Sequence, residues 1–130
     1  VIRMERGEDV IGSLEKACEG HGVKGGLVFG IGALSRCTLY ASASTEKLEP
    51  NAMELEEPLE IASAMGNITQ KNGKPYIHLH CVLGRRDYSS VAGHLKQGII
   101  SLTGEFSIMC HDRIVKRERN DELQIELMKL

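Results

Sequence analysis

The 130-residue sequence predicts an α+β fold: a mainly antiparallel sheet of about six or seven strands packed with one or two helices, in a single domain over 1–130. Three observations predict it. One segment near the start carries apolar residues at helical spacing, several later segments alternate with period two, and short glycine-containing turns separate them. The length fits one core, and a chain of this size buries roughly two-thirds of the surface its unfolded form exposes. Hydrophobic residues make up 42% and charged residues 26%, the balance of a globular domain and not of a disordered one. With three Tyr, two Phe and no Trp, the core has to be aliphatic.

The helix is expected over 8–19. Val10, Ile11, Leu14, Ala17 and Cys18 form one apolar stripe, Glu8 and Asp9 suit a first turn, and Gly20 and Gly22 suit a left-handed cap around a solvent-facing His21. Leu27-Val28-Phe29 then begins a strand that Gly30-Ile31-Gly32 interrupts. The third glycine of a dinucleotide loop is missing and no helix pattern follows, so these glycines point to a bulge or a close backbone contact. Cys37, Leu39 and Ala41 alternate with Arg36, Thr38 and Tyr40, as in a half-buried strand. Residues 44–57 are acidic and turn-rich and read as an exposed loop with at most a helical turn. Leu59 to Thr69 reads as a strand with an irregularity at Gly66-Asn67, and Asn72-Gly73 supplies a hairpin turn.

Two longer strands follow. In Tyr76–Leu83, Ile77, Leu79, Cys81 and Leu83 share one face, while Tyr76, His78, His80 and Val82 share the other. In Ile99–Cys110, Ile100, Leu102, Phe106, Ile108 and Cys110 take the apolar face, and Ser101, Thr103, Glu105 and Ser107 the polar one. Leu123, Ile125 and Leu127 alternate in a last short strand.

Charge and cysteine usage narrow the function classes. Lys and Arg number 16 against 18 Asp and Glu, a net charge of −2, whereas a dedicated nucleic-acid binder usually carries a basic surplus. The basic residues Arg113, Lys116, Arg117 and Arg119 are diluted by Glu118, Asp121 and Glu122 and read as a solvated face. The four cysteines, Cys18, Cys37, Cys81 and Cys110, form no C-x-x-C pair and sit on apolar phases, so reduced thiols and a cytoplasmic location are expected. No apolar run approaches the roughly 20 residues of a membrane span.

The chemistry concentrates at three histidines. His78 and His80 are two apart on a strand, so both leave one face with backbones roughly 6.6 Å apart, and their rings can lean to meet an ion that wants nitrogens at about 2.0–2.1 Å. An H-x-H pair alone more often marks two hydrogen-bonded strand histidines than a metal site. His94 is the natural third ligand, because the preceding Gly93 lets the chain pass close. Three His would leave one position of a tetrahedral zinc, or another divalent transition metal, open for water or substrate. Glu105 is the carboxylate expected to assist as a general base or outer partner, its other reading being an exposed strand residue or an ion pair with Arg85 or Arg86. Arg85, Arg86 and Tyr88 are candidates for an anion pocket beside the ion.

Arg3 with Gly7-Glu8-Asp9, Gly30-Ile31-Gly32-Ala33-Leu34, Leu59-Glu60-Ile61, Gly66-Asn67-Ile68, His78-Leu79-His80, Gly93-His94-Leu95 and the strand bearing Glu105 form an ordered set. In order and spacing it resembles the plant-and-prokaryote conserved (PPC) domain over nearly the whole chain. The likeness is to prokaryotic single-domain members, a family related to the C-terminal domain of plant AT-hook nuclear-localised proteins. The resemblance implies a compact domain with a large antiparallel sheet, a homotrimer, and a metal, usually zinc, held near the subunit interface by His78, His80 and His94. It does not carry the plant role. The R-G-R-P core of an AT-hook is missing, and the plant motif G-R-F-E-I-L corresponds to Glu57-Pro58-Leu59-Glu60-Ile61-Ala62, which departs at its first two positions and its last.

Two function classes follow: a trimeric metal-binding domain that binds or transforms a small molecule, or a non-catalytic assembly and regulatory module in which the metal firms the trimer. DNA binding through Arg113 to Arg119 is a third class that the acidic balance disfavours.

Overall fold

Alternating apolar residues and short turns build an eight-stranded sheet with one helix, described over residues 1–130 by a computed structural model. The elements are β1 (Ile2–Met4), α1 (Val10–Gly20), β2 (Gly25–Ser42), β3 (Pro50–Leu55), β4 (Leu59–Lys71), β5 (Lys74–Gly84), β6 (Ser90–His111), β7 (Lys116–Asn120) and β8 (Ile125–Lys129). The α+β expectation holds, with a sheet larger than predicted and not purely antiparallel: β4 meets β7 in a single parallel pairing, Gln70 with Lys116.

β2 pairs antiparallel with β6 along one side and with β4 along the other, while β5 lies between β4 and β6. The four long strands therefore close on themselves in the order β2-β6-β5-β4. This closure gives the sheet a buried side. Val28, Leu34, Leu59, Ile68, Leu79, Leu83, Leu95, Ile100 and Phe106 point into it, and all are essentially inaccessible to solvent. α1 covers the same core with Val10, Leu14 and Cys18, each wholly buried; burying a Val or Leu side chain stabilises the fold by about 1.5–3 kcal/mol.

The helix starts one residue later than a first turn containing Asp9 would require. Asp9 is the N-cap instead, with its carboxylate accepting from the Gly12 amide at 2.9 Å and from the Gly98 amide of β6 at 3.2 Å. Gly22 supplies the expected left-handed cap at φ +63°, and Val23 N–H returns to the Cys18 carbonyl. His21 is exposed.

Several expectations are corrected. Residues 44–57 do not stay a loop: Pro50–Leu55 pairs with β2 from Cys37↔Leu55 to Ser42↔Pro50 as an exposed edge strand, its short polar sequence concealing the pairing. Gly66-Asn67 is no irregularity. The β4–β5 ladder runs through it in register and shifts between Ile61 and Ser63. The bulge anticipated in Gly30-Ile31-Gly32 is present, between Gly30 and Gly32. Leu102 is 76% exposed because the β2–β6 ladder slips between Gly32↔Gly104 and Leu34↔Ile100, so residues 101–103 of β6 bow outward. Cys110 is exposed, unlike the other three thiols. The basic run is the strand β7, which makes a hairpin with β8, and Leu123 falls in the turn joining them. No helix is long and apolar enough to cross a membrane.

One outer strip of the closed sheet is apolar. Leu27 lies opposite Met109, and Phe29 opposite Met65, with Ile31 next along β2. Leu27, Ile31, Met65 and Met109 are each more than half exposed.

Candidate metal centre

β5 turns Ile77, Leu79, Cys81 and Leu83 inward and His78 and His80 outward, as period-two alternation requires. The third histidine arrives by register. His94 in β6 is the direct partner of His80, and opposite residues of an antiparallel pair project from the same face. Gly93 makes the expected close approach, not to the site but to the next strand: a Cβ there would stand 2.9 Å from the Tyr40 carbonyl oxygen. Tyr40 is itself the β2 partner of His94, and their rings stack at 6.4 Å.

The three imidazoles form a triangle. Ring centroids are 5.1 Å apart for His78–His80 and for His78–His94, and 5.5 Å for His80–His94. One nitrogen from each lies within 4.8 Å of the others. The Nε2 atoms of His78 and His80 are 3.2 Å apart, close to the roughly 3.3–3.4 Å that separates two nitrogens on a tetrahedral ion with bonds of about 2.05 Å. The donor set therefore fits a small divalent transition metal, with fewer protein ligands than a closed structural site uses.

The surroundings favour neutral rings at His78 and His94. Burial first, then the Arg117 guanidinium and the other two histidines, hold His78 down to about 4. Burial, then His80, Lys96 and Arg117, lower His94 as well. Neutral imidazole is the form that offers a lone pair to a metal.

Arg117 is the residue that sequence reading misplaced. β7 folds over the histidine face and delivers Arg117 into it, half-buried, not into solvent. Its Nε donates to Thr69 Oγ1 at 2.9 Å, Nη1 to the Glu126 carbonyl at 2.7 Å, and Nη2 to Asn67 Oδ1 at 2.9 Å. The guanidinium also lies 4.9 Å from the centre of the Tyr76 ring. Nη2 is 3.3 Å from His78 Nδ1. A guanidinium has no acceptor, so this contact assigns the lone pair of the neutral ring to Nδ1 and its proton to Nε2, which then donates to His80. Metal-ligating histidines usually give their second N–H to an acceptor; here a cation occupies that position, and His78 must shed or shift its Nε2 proton to ligate through Nε2.

Together these residues wall a cleft of about 460 Å³ whose floor is His78, His80 and His94 and whose roof is the β7–β8 hairpin. The other expected site residues lie elsewhere. Glu105 is eleven residues beyond His94 in β6, on the order of 30 Å along a twisted strand. It borders the exposed apolar strip beside Ile31 and Ala62, with no contact to the histidines or to Arg85. Arg85 is tied to Glu57 at 3.0 Å, and Tyr88 is 97% exposed at the β5–β6 turn with φ +65°. Neither borders the histidine cleft. The cleft instead takes Tyr76, Lys96, Arg117 and Arg119. Period two already puts Tyr76 on the histidine face and would have found the others, since Lys96 stands two residues from His94 and Arg117 and Arg119 share a face.

The sequence model of the Plants and Prokaryotes Conserved (PCC) domain matches residues 1–111. Among solved structures, a candidate DNA-binding protein of Bacteroides thetaiotaomicron is 29% identical, with a TM-score of 0.92 over 98% of this chain and 88% of its own. A metal-containing protein of Archaeoglobus fulgidus is 28% identical, with a TM-score of 0.90 over 99% of this chain and 91% of its own. A PPC protein of Pyrococcus horikoshii shares the fold at 23% identity, with a TM-score of 0.88 over 99% of this chain and 90% of its own. No curated protein matches.

Proposed function

The chain belongs to the Plants and Prokaryotes Conserved domain family, and we propose that it is a homotrimeric zinc-binding member whose His78, His80 and His94 hold the ion and leave a position open to a small molecule. The observation that carries this reading is the convergence of three imidazoles on the floor of a cleft large enough for a ligand. A bound zinc, or another divalent transition metal, supplies Lewis acidity at that open position. The chain's own residues do the rest: β5 and β6 hold the rings in register, and Arg117, fixed by four polar contacts, orients His78 and closes the cleft on the hairpin side. The metal named for the Archaeoglobus relative supports the same reading.

Trimer formation is supported by the exposed apolar strip of Leu27, Phe29, Ile31, Met65 and Met109, since a contiguous exposed patch of this kind marks an association surface. DNA binding draws support from the names of similar proteins, the Bacteroides one among them. Of the four basic residues first considered for it, Arg117 and Arg119 face into the cleft, and the net charge is −2.

Elemental analysis of tag-free protein beside a His78→Ala/His80→Ala variant tests the proposal. It requires about one zinc per chain in the wild type and none in the variant. A wild type that takes no metal even after zinc is added back overturns it. Chelation followed by light scattering sorts the roles: a trimer that persists leaves the ion to the ligand, whereas a trimer that falls apart makes the ion an assembly element.

A further inference from the structure

The cleft over the histidines is built for a negative charge. Three strands each send an i, i+2 pair into it: His78 and His80 from β5, His94 and Lys96 from β6, Arg117 and Arg119 from β7. Three of those six side chains are permanent cations at neutral pH. The sole carboxylate on the wall, Glu126, is already neutralised by Lys71 at 2.9 Å. Lys96 makes no hydrogen bond or ion pair of its own. Arg119 spends one N–H of each terminal nitrogen on Gln124, at 2.7 Å in both cases, and its Nε stands 3.8 Å from Asp121. That leaves its Nε–H and one N–H on each terminal nitrogen outside those two bonds, and Arg117 keeps one Nη1 N–H in reserve. Leu48, Pro50 and Ile125, with the rings of Tyr40 and Tyr76, add apolar surface to the same cleft.

Building on the metal-site reading, we propose that this cleft binds a small oxyanion-bearing molecule, a carboxylate or phosphate, with its charged head between the histidine floor, Lys96 and Arg119 and its body against Leu48 and Ile125. A guanidinium presents paired donors that match the two oxygens of such a head, and the flexible Lys96 ammonium adds a point charge beside it. A volume of about 460 Å³ suits a body of metabolite size. A divalent ion on the histidines adds positive charge to the same end, so metal and oxyanion reinforce each other.

Calorimetric titration of inorganic phosphate and of benzoate tests this, on zinc-loaded and on metal-free protein, with wild type, Lys96→Gln and Arg119→Gln compared and the zinc content of every sample measured. Both substituted side chains are substantially exposed, and thermal melts establish that the variants fold. Wild type binds at least one probe with a Kd in the millimolar range or tighter. Each variant weakens it about ten-fold, and added salt weakens it further. Benzoate binding more tightly than phosphate identifies a carboxylate with an apolar body; the reverse order identifies a phosphate. Metal-free wild type still binds, more weakly, because the cations remain. Zinc-loaded protein that binds neither probe, or variants that bind as the wild type does, overturns this proposal and leaves the metal site standing. A chain that takes no zinc but binds an oxyanion through Lys96 and Arg119 upholds it while the metal reading fails.

Discussion

Substituting Gly66 by alanine breaks the β4–β5 ladder and scatters the histidines in one step. Gly66 pairs with Leu79, between Met65↔His80 and Asn67↔His78. A Cβ at this position would overlap the His78 carbonyl oxygen and stand 2.9 Å from both the His78 carbonyl carbon and the Leu79 Cα. All three are backbone atoms, so no rotamer change relieves the overlap. Carbon atoms need about 3.5 Å, so β5 must retreat by at least ~0.6 Å there and farther at the oxygen. Overpacking of this kind costs about 1–3 kcal/mol, and two strained or lost ladder hydrogen bonds add about 1 kcal/mol each. The smaller entropy of an alanine-containing unfolded chain returns about 0.4–1 kcal/mol, leaving a net loss of about 2–4.6 kcal/mol. For 130 residues the unfolding entropy is about 0.27 kcal/mol/K, so Tm falls by about 7–17 °C. Melts at matched protein concentration, with zinc content measured before heating, check both effects. Gly20→Ala is the control, because a Cβ there meets nothing within 4 Å. If Gly66→Ala melts within about 2 °C of wild type and matches its metal content, the assignment of Gly66 to backbone clearance is wrong.

Asp9→Ala removes acceptors for the Gly12 and Gly98 amides and lowers stability by about 1–2 kcal/mol, read from the urea midpoint, whereas Asp9→Asn retains most of it. At pH 8 a disulfide reagent titrates a single thiol per native chain, Cys110; burial above all pushes Cys18 and Cys37 up to about 11 and Cys81 up to about 12, and unfolding exposes all four. In chelator-treated protein, acid destabilises the fold through His78. Its folded value of about 4 lies below the ordinary 6.5, so the unfolded chain takes up the proton first and stability is lost as pH falls from about 6.5 towards 4. His78→Asn flattens that part of the Tm–pH curve, and an unchanged slope assigns the loss to other groups.

Local period carried most of the fold and half of the site. Where a strand is long and one face is buried, as in β5, alternation alone separates Leu79 and Cys81 from His78 and His80, because a slip of one residue would put the whole apolar set in water. The left-handed cap at Gly22 and the Asn72-Gly73 turn, both at positive φ, were legible for the same local reason. β3 was hidden because an edge strand has one partner and no buried face, so Asn51, Glu54 and their neighbours keep a loop's composition while pairing with β2.

What a single strand's period cannot carry is which distant strand lies across from it. Glu105 shares β6 with His94, and sequence proximity made it the natural partner of the histidines, yet a strand of 22 residues holds the two at opposite ends. Arg117 is separated from His78 by 39 residues and still meets it, because β7 returns beside β4 through the Gln70↔Lys116 pairing and lays one face over β5. The sequence of β7 alternates Lys116, Arg117, Glu118 and Arg119, all charged, so no contrast of hydropathy marks the inward side. The mark is chemical instead: Asn67, Thr69 and Tyr76 line up on the facing strands as acceptors and a π surface, and a guanidinium is the side chain that satisfies all three at once. A charged run opposite such a set is better read strand-face by strand-face than as a solvated block, and by that reading Arg119, two residues on, belongs to the cleft for the same reason as Arg117.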